Sequence, residues 1–362
     1  MVANATFRLG GCTIHAGRGL LDRAGAIAQG AVRAHRWAII TDTNVAPLYA
    51  ARAMAGFGDA RTDLFTVPAG EQHKTRESWA RLTDAMLDAG LARDAAVLAL
   101  GGGMVGDLAG FVAATFMRGI PVVQAPTTLL AMIDASIGGK TGVDTPAGKN
   151  LVGAFHEPAA VVADPAVLAS LPARELRSGA AEAIKHGAIA DANYFNRVTE
   201  SLPEALADPG GEAMHHLIAG SIRIKTAVVA ADAKEHGLRK TLNFGHTLGH
   251  AVETASGYTL LHGEAIAIGM VLESRLAERL GVAAKGTSAA IRAAVETAGL
   301  PASAPAKLDP ARLIELTHAD KKSRAGAVEY ALPMRVGMMS AQDKGWAVAV
   351  KDADVRAMLI ES

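Results

Sequence analysis

The chain is poor in cysteine, with a single residue, Cys12, among 362. That excludes an internal disulfide and a cysteine-built zinc cage, and it points to a cytoplasmic setting. Net charge is also lacking, since 36 Lys and Arg are matched by 36 Asp and Glu. Binding to nucleic acid or to an anionic membrane draws on surplus cations, so neither partner is expected and any basic site has to be local. No run of about 18 uninterrupted apolar residues is present, which excludes a transmembrane helix. The richest apolar region, Ala95 to Ala114, is broken by glycines and by Asp107. The opening stretch MVANATFRLGGCTIHAG has neither the basic start nor the apolar core of a signal peptide, so none is expected. Fixed-period repeats are absent as well. What the chain has is core material, with 50% of its residues hydrophobic and 20% charged. Its length suits about two domains.

The first half alternates short apolar runs with helical spacing. Trp37–Thr41, Asp63–Val67, Ala95–Leu100 and Pro121–Ala125 read as strands, and Thr75–Ala89 reads as a helix. Continuous apolar runs of this length suit strands covered on both faces, as in the parallel sheet of a doubly wound α/β domain. After Asp164-Pro165 the character changes to long, Ala-rich, periodic segments. Helices are expected over Glu175–Ile189, Ala213–Ala231, His246–Ser256, Gly263–Leu280 and Ser288–Ala298, with a loop at Pro301–Pro310 and a small β element in the tail. The fold class expected is α/β plus α: a Rossmann-like domain over residues 1–170 and a helical metal- and substrate-binding domain over 171–362.

Three segments bear chemistry. Gly101-x-Gly103-x-x-Gly106 follows an expected strand and opens an expected helix, the setting in which glycines let backbone N–H groups approach a pyrophosphate. It departs from the dinucleotide fingerprint, because no acidic residue follows about 20 positions later, and a plain strand–helix turn is the competing reading. Gly138-Gly-Lys140-Thr141 resembles the end of a P-loop, but the upstream glycine of that motif is Asp134, which disfavours a nucleoside triphosphate site. Lys140, followed by Gly148-Lys149-Asn150, still suits an oxygen-rich anionic substrate, against the alternative of a solvated loop. Third, Asn243-Phe-Gly-His246-Thr-Leu-Gly-His250 sets two histidines at i and i+4 on one helix face, with His262-Gly-Glu264 beyond and Glu182-x-x-Lys185 earlier. One Glu and two His form a sound divalent metal site with an open position. The residues alone do not decide which of His246, His250 and His262 bind metal and which works as acid or base. Arg118, Lys225, Arg239, Lys321 and Lys322 lie in polar breaks and complete a possible anion pocket.

Taken in order, these segments resemble the 3-dehydroquinate synthase family of sugar-phosphate cyclases over nearly the whole chain. The motifs are Pro68-x-Gly-Glu-x-x-Lys74, Gly101-Gly-Gly-x-x-Gly-Asp107, Phe116-Met-Arg-Gly119, Pro126-Thr-Thr-Leu-Leu130 and Asp134-x-Ser-x-Gly-Gly-Lys-Thr-Gly142. They continue with Gly148-Lys-Asn150, Ala181-Glu-x-x-Lys-x-Gly187, Asn243-x-Gly-His-Thr-x-Gly-His250, His262-Gly-Glu264 and Asp320-Lys-Lys322.

The resemblance implies a homodimer using NAD and one divalent ion, Zn2+ or Co2+. It implies Glu182, His246 and His262 as metal ligands and His250 as a catalytic histidine. Asp134, Lys140, Asn150, Lys185, Lys225, Glu235, Arg239 and Asn243 match substrate positions, with Lys321 or Lys322 beside them, and Arg118 reaches into the partner's site. Asp42, Glu71, Lys74, Gly102, Gly103, Asp107, Thr127, Thr128, Lys140, Lys149 and Ser170 match the NAD site. The departures are His186 where Tyr is common, Ala233 for an acidic residue, Ala135 for Ser, and Ser170 for Thr. The implied reaction turns 3-deoxy-D-arabino-heptulosonate 7-phosphate into 3-dehydroquinate and phosphate, through transient oxidation by NAD, phosphate loss, re-reduction and internal aldol closure. The alternatives are a cyclase acting on sedoheptulose 7-phosphate, a metal-dependent polyol dehydrogenase, and a binding protein on the same fold.

Overall fold

A computed structural model describes residues 4–319, 323–324 and 327–361. Residues to Leu171, with Asp208–Thr226, form one compact unit, and Pro172–Ala207 with Ala227 onward form the other. The stretch Asp208–Thr226, which the sequence reading leaves with the helical part, therefore groups with the sheet. Lys225, near the end of this stretch, is ion-paired at 2.5 Å with Asp134 of that unit.

The first unit is built on strands β1 (Ala5–Leu9), β2 (Cys12–Ala16), β3 (Arg36–Asp42), β4 (Arg61–Val67), β5 (Ala95–Gly101), β6 (Val122–Pro126), β7 (Lys140–Thr145), β8 (Gly148–Phe155) and β9 (Ala160–Ala163). Its helices are α1 (Ala24–Ala31), α2 (Ala51–Ala55), α3 (Arg76–Asp88) and α4 (Gly103–Thr115). A seven-stranded sheet runs β1-β2-β9-β6-β5-β3-β4, parallel except for the β1–β2 hairpin. All seven residues of β5 are buried, whereas in edge strand β4 only Val67 is. This is the difference between a strand covered on both faces and one at the rim. The core under β3 and β5 joins Ile40, Val97, Leu108, Val112 and Phe116. The chain leaves β4 at one edge and crosses back to lay β5 on the other side of β3. The C-terminal ends of β3 and β5 thus flank a topological switch point, where open α/β sheets bind ligands. Asp42 ends one of these strands and Gly101 the other.

The second unit contains α5 (Ala173–Ala190), α6 (Ala192–Ala207), the end of α7 (Glu212–Ala231), α8 (His246–Ala255), α9 (His262–Arg279), α10 (Thr287–Thr297) and α11 (Pro310–Ala319). It adds β10 (Ser323–Arg324), β11 (Ala327–Tyr330), β12 (Pro333–Arg335), β13 (Met338–Met339), β14 (Val348–Val350) and α12 (Asp352–Ile360). Leu248, Val252, Ile268, Leu272 and Leu276 of α8 and α9 share a core with Leu313, Tyr330 and Met358. A Cβ on Gly245 would meet Met270, and one on Gly249 would meet Ile266, so the two helices run antiparallel in near-backbone contact.

The expected strands and helices are present. Sequence periodicity misses the β1–β2 and β7–β8 hairpins, β9, and helices α1, α6, α11 and α12. Helix α6 carries Pro203 inside it, and the β7–β8 strands carry three glycines and are half exposed. The expected loop near residues 301–310 ends one residue early, because Pro310 opens α11, where its missing N–H costs nothing. No described helix is long and apolar enough to cross a membrane. Cys12 is 2% exposed, and burial, with the nearby Glu157 carboxylate, pushes its thiol up to about 12. A thiol reagent at pH 8 is therefore expected to leave the folded protein unlabelled and to titrate one thiol per chain in denaturant. Rapid labelling of the native protein would contradict this packing.

Candidate active site

In the second unit, α5 brings Glu182 and Lys185 to one face, four residues after Ser178. The Glu182 carboxylate is fully buried and ion-paired with the Lys185 ammonium, itself 1% exposed. His246 Nε2 lies 3.8 Å from Glu182 Oε1 and His262 Nε2 lies 3.7 Å from the same oxygen. One ligand atom from each of Glu182, His246 and His262 falls within 4.8 Å of the others. His250 stands beside them, its ring centroid 5.3 Å from that of His246 and 6.0 Å from that of His262. The i, i+4 pair thus shares a helix face, and His262 of α9 packs against that face. Burial opposes charge on His262, yet the carboxylates of Glu182 and Glu253 outweigh it and push the imidazole up to about 9. Two carboxylates, Glu182 and Glu253, flank His262, and one oxygen with two imidazole nitrogens is a zinc or cobalt donor set. The residues present fit a metal ion.

Packing explains the convergence. Gly263 N–H donates to Ser178 Oγ at 3.0 Å, and a Cβ on Gly263 would lie 1.9 Å from the Ser178 carbonyl oxygen. Only glycine lets the start of α9 lie flush on α5, which sets His262 beside Glu182. Helix α8 begins at Gly245, in the left-handed region at φ 78° and without a side chain to cap the helix. Glu273 of α9 supplies the cap: its fully buried carboxylate accepts from Gly245 N–H at 2.7 Å and Leu248 N–H at 2.9 Å. Such a cap stabilises by charge-assisted bonding to otherwise orphaned donors. Glu253 and Glu273 escape sequence reasoning. The signal for Glu253 is its place three residues after His250, and Glu273 leaves none, because its role depends on the helix crossing.

Residues 232–243 lead directly into α8. Asp232 is held below the usual carboxylate range because N–H donors of Gly237, His236 and Arg239 outweigh its partial burial. Arg239 is 2% exposed and donates from Nη1 to the Ala233 carbonyl at 2.6 Å. Asn243 Nδ2 donates to Glu235 Oε1 at 2.7 Å. Arg239, Glu235 and Asn243 are thus brought together on one short segment.

In the first unit, α4 begins at the switch point with Gly102 as its uncapped N-terminal residue. A Cβ on Gly102 would come within 3.0 Å of Thr128, so no side chain blocks the helix end. Free N–H groups and the helix dipole there suit a pyrophosphate, so the turn fits a dinucleotide. Asp42 Oδ1 accepts from Asn44 and Val45 N–H at 2.8 and 2.9 Å. Thr127 N–H donates to Gly101 O, and Thr128 Oγ1 accepts from Ala131 N–H. Lys74 is 3% exposed and lies 2.7 Å from Asp107 and 3.4 Å from Glu71. Burial opposes its charge, but Asp107 and Glu71 outweigh it and hold the ammonium above its ordinary value. Burial raises the Asp107 carboxyl, with Lys74 opposing.

The P-loop-like stretch turns out to be a hairpin. Exposed Lys140 opens β7, and Asn150, at φ 55°, donates its N–H to Asp144 Oδ1. Lys149 precedes Asn150 on β8. Ser170 Oγ accepts from the Tyr49 hydroxyl at 2.7 Å. Arg118 is exposed on a left-handed turn, at φ 70° between Met117 and Gly119. Lys321 and Lys322 lie outside the described residues.

Residues 64–178 match the family model for the N-terminal part of 3-dehydroquinate synthase, and residues 179–323 match the model for its C-terminal part. The chain belongs to the 3-dehydroquinate synthase family. A 3-dehydroquinate synthase of Symbiobacterium thermophilum is 48% identical over 90% of this chain and 91% of its own length. One of Halorhodospira halophila is 47% identical, over 90% of each. Among solved structures, 2-epi-5-epi-valiolone synthase from Streptomyces hygroscopicus subsp. jinggangensis 5008, with NAD+ and Zn2+ bound, aligns with TM-score 0.85 and 30% identity. It covers 100% of this chain and 98% of its own. A 2-deoxy-scyllo-inosose synthase aligns at TM-score 0.87 and 24% identity, covering 99% of this chain and 100% of its own, and shows the shared fold.

Gly263→Ala separates this family geometry from mere tolerance. The added methyl has to push α9 off α5, so the variant is expected to lose about 1–3 kcal/mol in urea denaturation and to bind Co2+ more weakly than the native protein. Native stability together with native Co2+ affinity would show that the contact is dispensable.

Proposed function

We propose that this chain works as a 3-dehydroquinate synthase, converting 3-deoxy-D-arabino-heptulosonate 7-phosphate into 3-dehydroquinate and phosphate. The observation that carries the reading is the convergence of Glu182, His246 and His262 around one point, with Lys185 and His250 beside them. The chain bearing them is 44–48% identical to named synthases over nine-tenths of its length or more. When bound, NAD+ supplies a hydride acceptor that returns what it takes, and a divalent ion supplies Lewis acidity toward the substrate's oxygens.

The residues divide the remaining work. Glu182, His246 and His262 hold the ion, and Lys185 pairs with the buried Glu182 carboxylate. His250 holds or releases a proton at a substrate oxygen, a task suited to imidazole near neutrality. Lys140, Lys225 and Arg239 bind the anionic groups of the substrate and stabilise the charge that develops as phosphate leaves. Arg239 is suited to this because its backbone bond at Ala233 fixes the guanidinium in advance. Asp134 orients Lys225, while Asn150, Glu235, Asn243 and one of Lys321 and Lys322 bind the substrate's polar groups. Asp42, Glu71, Lys74, Gly102, Gly103, Asp107, Thr127, Thr128, Lys140, Lys149 and Ser170 serve the NAD site. The α/β part holds the dinucleotide and the helical part the metal.

The working form is a homodimer in the cytoplasm, and Arg118 serves the partner's site. Its exposed guanidinium, on a turn of successive left-handed residues, supports this reading.

Purified protein with NAD+, Co2+ and the heptulosonate phosphate is expected to release one phosphate per 3-dehydroquinate identified by NMR, with no build-up of NADH. Cyclisation of sedoheptulose 7-phosphate alone would move the activity to a sister cyclase, and accumulating NADH would mark a dehydrogenase. Inactive Arg118→Ala and His250→Ala proteins, refolded together, are expected to regain turnover, since one site of a mixed dimer receives both native groups. No recovery in a demonstrated mixed dimer would place Arg118 in its own subunit's site or outside the chemistry.

A further inference from the structure

Both ring nitrogens of His262 face carboxylates. Nε2 lies 3.7 Å from Glu182 Oε1, and Nδ1 lies 4.0 Å from Glu253 Oε2. Glu253 is 6% exposed, and it sits on α8, a different helix from the one His262 opens. It follows His246 by seven residues and His250 by three, so it occupies the helix face they share. An imidazole flipped about its outer side-chain torsion would present carbons where its nitrogens now stand. Two flanking carboxylates therefore distinguish the two orientations. A neutral imidazole also has a single N–H, and the acceptor beside one nitrogen decides which nitrogen keeps the lone pair for a metal.

We propose that Glu253 is the positioning residue for His262: its carboxylate, in charge contact with Nδ1 at 4.0 Å, is the acceptor toward which Nδ1–H turns, so that the Nε2 lone pair is left for the place shared with Glu182 and His246. The inference rests on the metal reading given above. A rival arrangement exists, because ligand atoms of His250, Glu253 and His262 also fall within 4.8 Å of one another, and Glu253 would there be a ligand itself. Two observations favour positioning. Glu182, fully buried and tied to Lys185, already provides the oxygen donor, and Glu253 faces the nitrogen turned away from it.

The test is equilibrium Co2+ binding by chelator competition, together with the visible absorption of bound Co2+, for native protein, Glu253→Gln and Glu253→Ala. Glu253→Gln keeps an acceptor oxygen and is expected to bind several-fold more weakly. Glu253→Ala removes the acceptor and is expected to lose about 10- to 100-fold in affinity. The Co2+ bands of the Gln variant are expected to keep their native position, since the three ligands remain. Native affinity in both variants would overturn the proposal. Altered bands or abolished binding in Glu253→Gln would overturn it in favour of direct ligation. Should Glu253→Ala not fold, the near-isosteric Gln variant decides through affinity and spectrum together. A native protein that binds no Co2+ would defeat the metal reading itself, whereas tight native binding matched by both variants would defeat this inference alone.

Discussion

A carboxylate without solvent is the constraint around which the helical unit is arranged. Glu182 is fully buried, and an ionised group there is tolerated only when opposite charge or strong donors surround it. Lys185 meets it from the same helix, while His246 and His262 approach from two others. Three helices therefore have to be held close together. Glycine makes this possible twice: Gly263 lies against the Ser178 carbonyl, and Gly269 against that of Gly245. Side chains at either place would spread the helices and leave Glu182 with fewer partners. The Glu273 cap adds the complementary restraint by tying the first turn of α8 to the middle of α9. The glycines set how closely the helices approach, and the cap sets how far one slides along the other.

The sheet-bearing unit solves a different problem, the exposure of backbone donors. Its switch point leaves the end of α4 without a side-chain cap, in a turn where a Cβ on Gly102 would crowd the Thr128 methyl at 3.0 Å. Around that end, buried Lys74 is balanced by Asp107 and Glu71, and the Lys74 carbonyl accepts the Asp144 N–H at the β7–β8 hairpin. A buried lysine held by carboxylates beside the glycine turn frames backbone donors that suit an anionic ligand.

The alternation of apolar runs in the first half and the periodic Ala-rich segments in the second were enough to place the principal strands and most helices. These signals come from neighbours in the chain, where burial on both faces or one face leaves a local pattern. The hairpin at Lys140–Phe155 lacked such a pattern because its strands are half exposed and carry three glycines, and its Gly-Lys pair imitates a nucleotide loop. Pro203 hid α6 in the same way. The histidine pair His246 and His250 was legible from the helical repeat, and Glu182 and Lys185 from their i, i+3 spacing.

The sequence by itself determined the fold class, the family and the residue types available for chemistry, because each of these is written in short motifs and local periodicity. The tertiary structure decided which groups meet. It brought His250 and His262 together with Glu182, faced Nδ1 of His262 toward Glu253, capped α8 with a glutamate 28 positions from the glycine it serves, and joined residues 208–226 to the sheet. The physical reason is that these relations depend on how closely helices distant in sequence approach. That distance is set by the volume of side chains at their crossings and by the need to neutralise buried charge, and neither leaves a periodic trace along the chain.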